Sequence, residues 1–209
     1  MKSSQYVIPV PGKFAEGVAF LDLETRKVPI GPTEMSPDGL VMKNGELLRR
    51  RWQAFLAGVA RDGEIRIVEY EDDEYDFLVA VRGAIGNADT VVYGATRQFD
   101  EMILKGRFTN ARRAHENLPF FPAMPGASEL WWRCIGTAPH DYPRSADVPS
   151  REVSRSYVEG RYASVLAHNL RDVCELILAV GDPDAECRSW CLQVLYDLPF
   201  AVEEIFTRE

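Results

Sequence analysis

Val18 to Leu23 is an almost unbroken apolar run, the pattern of a strand buried on both faces. A Pro/Gly-rich loop is expected over Pro29 to Asn44. Trp52 to Ala60 and Glu64 to Tyr70 are then two strand-like runs around Arg61-Asp62-Gly63, a hairpin signal. Asp72-Asp73-Glu74 places acid at the start of a helix, where the dipole favours negative charge. That helix carries Phe77, Leu78, Val81 and Ile85 on one side and stops near Gly86-Asn87. Thr90 to Tyr93 is a short β-branched strand, followed by a turn at Gly94 and a helix through Phe99, Met102, Ile103 and Leu104.

The regular pattern breaks between about Arg107 and Pro149. Prolines there alternate with aromatics (Phe120-Phe121, Trp131-Trp132), so loops are expected, with one short helix around Ser128 to Ile135. A long helix is expected from Val153 or Ser154 to Val180, with Val165, Val173, Leu176, Ile177 and Val180 as its apolar positions. Gly181-Asp182-Pro183 ends it, and a last helix runs from Pro183 to about Tyr196. The order β, β-hairpin, α, β, α, irregular, α, α predicts one α/β domain over residues 1–209, a mixed central sheet flanked by helices. The irregular insertion covers about 107–152.

Composition narrows the function. The chain has 209 residues, 46% of them hydrophobic, enough for one good core. No apolar run is long enough for a membrane span, and Met1 to Pro9 lacks the apolar region of a signal peptide. A cytoplasmic protein is expected, with Cys134, Cys174, Cys187 and Cys191 reduced and mostly buried. The net charge of −8 argues against a protein that coats long nucleic acids through a basic surface. It permits an enzyme that grips a few nucleotides at a strand end, because metal ions supply positive charge locally.

The candidate chemistry starts at Asp22-Leu23-Glu24. Alternate residues of a strand share a face, so the two carboxylates project together and repel unless a cation lies between them. Asp100 lies just after the fourth strand, at the start of a helix. His168 and Asp172 are four apart on the late helix and look into the same space. Each feature has a plain reading as well. The first pair reads as solvated acids at a strand end, Asp100 as an early-helix acid, His168 as a hydrogen-bonded helix residue, and Asp172 as a partner of Arg171 or Arg161. Their coincidence in one chain favours a shared site.

In their order and residue types, these motifs resemble the DEDD superfamily of 3′–5′ exonucleases, which have a ribonuclease H-like fold. Asp22-Leu23-Glu24 resembles the first motif and Phe99-Asp100-Glu101-Met102-Ile103-Leu104 the second. His168-Asn169-Leu170-Arg171-Asp172-Val173 is similar to the H-N-x-x-D-V third motif of a predicted-exonuclease branch. The likeness spans roughly residues 17 to 180. Two positions depart from it: Ala95 stands where relatives usually carry Asn, and the His168-to-Asp172 spacing is that of the branch that normally uses Tyr.

The resemblance implies two Mg²⁺ or Mn²⁺ ions held by Asp22, Glu24, Asp100 and Asp172, with His168 as the base. Hard oxygen ligands suit these ions, and two of them about 4 Å apart stabilise both oxygens of an in-line displacement. The implied reaction is hydrolysis of phosphodiester bonds at the 3′ end of single-stranded DNA or RNA. Two alternatives are a phosphodiesterase for short oligonucleotides and a non-catalytic nucleic-acid-binding module that keeps the fold. Arg97, Lys105, Arg107, Arg112 and Arg113 are candidates to touch phosphates. Trp131, Trp132, Phe120 and Phe121 are candidates to stack on bases.

Overall fold

The structure is a computed structural model that describes residues 4–29, 40–43, 46–70, 74–94, 100–101, 103–104, 106–107, 131–134, 148 and 152–205. Its centre is a mixed sheet. The strands are β1 (Ser4–Pro9), β2 (Val18–Pro29), β3 (Leu40–Lys43), β4 (Glu46–Arg61), β5 (Glu64–Glu69), β6 (Thr90–Tyr93) and β7 (Trp131–Cys134). They lie in the order β1-β5-β4-β2-β6-β7, with β3 paired to the start of β4. The pairs on the β1 side of β2 are antiparallel, whereas β6 runs parallel to β2, and β7 parallel to β6.

The expected hairpin forms where the turn residues place it. Asp62 (φ 53°) and Gly63 (φ 82°) both have positive φ, as a two-residue type I′ connection between β4 and β5 requires. Helix α1 (Glu74–Ile85) carries Glu74 and Asp76 in its first turn and buries Phe77, Leu78, Val81 and Ile85, the residues the spacing selects. Asp72, Asp73, Phe99 and Met102 lie outside the described residues. The described residues from Asp100 to Arg107 are helical.

Several expectations need correction. The short helix expected around Ser128 to Ile135 is replaced, in its described residues, by strand β7 (Trp131–Cys134), paired parallel with β6. A four-residue segment is too short to carry a period that separates helix from strand, and the aromatic pair suits a sheet. The loop over Pro29 to Asn44 contains strand β3, and β2 itself extends to Pro29.

The long late helix is two helices, α2 (Val153–Val158) and α3 (Tyr162–Val180). Gly160 breaks it with φ 80°. The Gly160 N–H donates to the Tyr157 carbonyl and the Arg161 N–H to the Ser156 carbonyl, the paired bonds of a Schellman stop. Helix α4 (Ala185–Ile205) runs well past Tyr196, and the edge strand β1 was not expected.

Helices cover both faces of the sheet. On one face, α1 and the buried Ile103 and Leu104 pack on Ala19, Leu21, Leu23, Ala57, Val59 and Val91. On the other, α3 and α4 pack on Phe20, Phe55, Ala60, Ile65, Ile67 and Val92. Odd-numbered residues of β2 therefore face α1, while Phe20 and the carboxylates after it face α3. Cys174, Cys187 and Cys191 are free thiols buried in the α3–α4 interface. Among the described residues, no helix is long and apolar enough to cross a membrane.

Candidate metal centre

Strand β2 delivers two acids to the α3 face, and the strand beside it has a glycine opposite the first of them. Asp22 pairs in register with Gly58 of β4. A Cβ at position 58 would lie 2.4 Å from Asn169 Oδ1 and 2.7 Å from Val173 Cγ2, so the missing side chain lets α3 approach the sheet closely. The approach brings Asn169 Nδ2 to Asp22, where it donates to Oδ2 at 2.6 Å and to the carbonyl at 3.3 Å. Asn169 is fully buried. Sequence reasoning misses Asn169 and Gly58 as site residues: Asn169 stands inside the third motif beside His168, and Gly58 lies within the expected strand Trp52 to Ala60 with no local signal that a helix approaches it.

One turn of α3 supplies the next two groups. His168, 1% exposed, has Nε2 3.4 Å from Asp172 Oδ2 and 3.5 Å from Glu24 Oε1. Glu24, His168 and Asp172 thus each offer a ligand atom within 4.8 Å of the others. Asp100 comes from a third direction. Pairing of β2 with β6 ends at Leu21–Tyr93, and beyond that end the Leu23 N–H donates to the Asp100 carboxylate. All five residues selected from the sequence therefore converge.

The electrostatics are those of like charges held together out of water. Burial pushes the Asp22 carboxyl well above the usual carboxylate range, and Asp172, Glu24 and Asp100 push it further, against the hydrogen bond from Asn169. Burial, with Glu24 and Asp172, raises Asp100 to about 8, although the Leu23 N–H favours its charged form. A divalent cation would reverse both shifts, because an adjacent positive charge favours the ionised carboxylate. The four carboxylates are hard donors and suit Mg²⁺ or Mn²⁺, and the His168 imidazole is a softer one.

The basic candidates fare differently. Arg107 does not face this cluster as a phosphate contact. It is 3% exposed and ion-paired with Glu74 of α1, its Nε donating to Oε1 at 2.7 Å and its Nη2 to Oε2. A buried guanidinium needs such a partner, and an acid in the first turn of α1 supplies it. Arg161 bridges Glu159 at 3.0 Å rather than Asp172. Ala95, Arg97, Lys105, Arg112, Arg113, Phe120 and Phe121 lie outside the described residues, as do the side chains of Trp131 and Trp132.

A cleft of about 600 Å³ opens at the opposite end of the sheet, lined by residues 12–17, the 61–63 turn and Asn87 to Asp89. Its Arg61 is held by the Ile85 carbonyl at 2.7 Å and by Asp62, and the carboxylate cluster lies elsewhere. Comparisons of the chain with protein-family models, with characterised proteins and with solved structures return no match.

Proposed function

We propose that the chain is a metal-dependent 3′–5′ exonuclease of ribonuclease H-like fold, hydrolysing phosphodiester bonds at nucleic-acid 3′ ends. The observation that carries the reading is the meeting of Asp22 and Glu24 from a strand, Asp100 from a helical segment, and His168 and Asp172 from one helix turn. Support for the fold comes from the mixed sheet, in which a parallel strand lies beside the carboxylate-bearing β2, and from helices on both faces.

Asp22, Glu24, Asp100 and Asp172 would hold two divalent ions. Bound there, such ions supply Lewis-acid stabilisation of the attacking and leaving oxygens. The chain's own contribution is to fix the carboxylates: Asn169 holds Asp22 and the Leu23 N–H holds Asp100. His168, whose side chain type titrates near neutrality, would take the proton of the attacking water.

One geometric fact favours a second reading. Nε2 of His168 is about equally far from Glu24 and Asp172, which suits a single ion with His168 as a ligand. Calorimetric titration with Mn²⁺ separates the two. Two ions per chain, both lost in Asp22→Ala, support the first reading, and one ion lost in His168→Ala supports the second. Single strands of DNA and RNA labelled at the 5′ end should shorten from the 3′ end in Mn²⁺. Absence of any product from either polymer, or products that persist in Asp172→Ala, would remove the nuclease reading.

A further inference from the structure

Strand β2 does not end at the acids. Arg26 lies two residues past Glu24 on the same α3-facing side, about 7 Å along the strand. Its guanidinium carbon is 6.0 Å from the ring centre of Phe55, 5.8 Å from that of Tyr70 and 5.9 Å from that of Tyr157. Its Nε donates to Oε1 of the buried Gln53 at 3.0 Å.

This arrangement is built. The register between β2 and β4 shifts at Glu24/Thr25, leaving Phe55 as the extra residue of a bulge, and the bulge turns Phe55 toward the α3 side. Tyr157 packs on Phe55 with the ring centres 4.3 Å apart and the planes tilted by 35°, and donates its hydroxyl to Glu69 and to the Tyr70 carbonyl. Tyr162 meets Tyr157 edge-on at 5.2 Å, yet 49% of it remains exposed, and the adjoining Val158 is 71% exposed.

We infer that Arg26 and Tyr162 form the subsite for the substrate strand beside the cleaved bond, Arg26 binding the next phosphate and Tyr162 stacking a base. This rests on the exonuclease reading. Three arguments support it. Rings and Gln53 fix the guanidinium's direction, so little rotamer freedom is lost on binding. Among the described residues no carboxylate bridges Arg26, so its remaining N–H donors suit a phosphate. The spacing from Glu24 is of the order of one phosphate-to-phosphate step. The ligand is therefore a single strand with at least two phosphodiesters, and an exposed ring beside a fixed cation is how proteins hold unpaired nucleotides.

The test uses the full chain with Mn²⁺ and two substrates, an unstructured decanucleotide (DNA and RNA versions) and bis(p-nitrophenyl) phosphate, which has no second phosphate. Arg26→Met should raise the decanucleotide KM about tenfold with kcat within about twofold, and leave the small ester unchanged. Its salt slope should fall by about one ion, and Arg26→Lys should recover part of the affinity. Tyr162→Ala, at a half-exposed position, should weaken decanucleotide binding about fivefold or more, with the far-UV circular dichroism of the variant unchanged. Unaltered decanucleotide KM in both Arg26→Met and Tyr162→Ala, or equal losses on both substrates, would overturn the subsite.

Fluorescence anisotropy of a labelled strand reads binding without chemistry. Arg26-dependent binding by a chain that cleaves nothing would sink the exonuclease reading and leave the subsite standing. Arg26-independent binding by an active chain would do the reverse.

Discussion

The two faces of β2 use the same backbone for opposite ends. On the α1 side, Ala19, Leu21 and Leu23 are fully or nearly fully buried among aliphatic and aromatic side chains. The α3 side starts with Phe20 and then gives up apolar packing at Asp22 and Glu24, where it meets Asn169, His168 and Asp172. Burying hydrocarbon on one side stabilises the fold by about 25 cal/mol for each Å² removed from water. Burying mutually repelling carboxylates on the other opposes it. The first face carries the cost of the second. Arg107 and Glu74 show the other way to bury charge, as an opposed pair; in the cluster the carboxylates push one another's titration upward, and a cation placed among them would relieve that repulsion.

Neighbouring substitutions should break this comparison in opposite directions, from the largest effect down. Asp22→Asn should lower nuclease activity on the order of a thousandfold, yet raise the metal-free thermal midpoint at pH 8, measured by calorimetry. A lower midpoint would mean that the acid cluster is not strained. Leu21→Ala, one residue away, should cost about 3 kcal/mol of stability in urea titration, while the folded fraction keeps its Mn²⁺ affinity. Gly58→Ala should destabilise by about 2 kcal/mol, because the new methyl meets Asn169 and Val173. It should weaken Mn²⁺ more than Val59→Ala, at an α1-facing position of β4.

Acidity sharpens the same contrast. Asp100 is raised to about 8 in the fold from 3.8, so the folded state binds an extra proton between those values. Metal-free stability should therefore fall as pH rises from about 4 through about 8. Thermal midpoints across that window should show the decline, saturating Mn²⁺ should reverse it, and Asp100→Asn should make it shallower, the raised Asp22 carboxyl supplying the remainder. A flat profile in the wild-type chain would mean that the carboxylate is not held in its neutral form.

Much of this was legible in the chain because the signals are local. The 62–63 turn, the apolar stripe of α1 and the β-branched run of β6 depend on a few consecutive residues each, and they form as the pattern predicts. The acids were legible because a strand's two-residue period and a helix's four-residue spacing dictate which side chains share a face. Their meeting at one place follows from β6 lying parallel beside β2 and from α3 crossing the same face. The expected helix at 128–135 failed for the converse reason. Strand β7 exists through pairing with a strand some forty residues earlier in the chain, and nothing within four residues encodes that partner.

By itself, then, the sequence determined the element types of the punctuated segments and the candidacy of Asp22, Glu24, Asp100, His168 and Asp172. Only the tertiary structure decided that Gly58 opens the gap for α3, that Asn169 reaches across it to Asp22, and that Arg107 serves Glu74 rather than a phosphate. A bulge opposite Glu24 and Thr25, invisible in the apolar run of β4, brings Phe55 under Arg26. The physical reason is the range of the forces. Backbone propensity and periodicity act between neighbours along the chain, whereas close approach, desolvation and charge repulsion act between residues that only folding brings together.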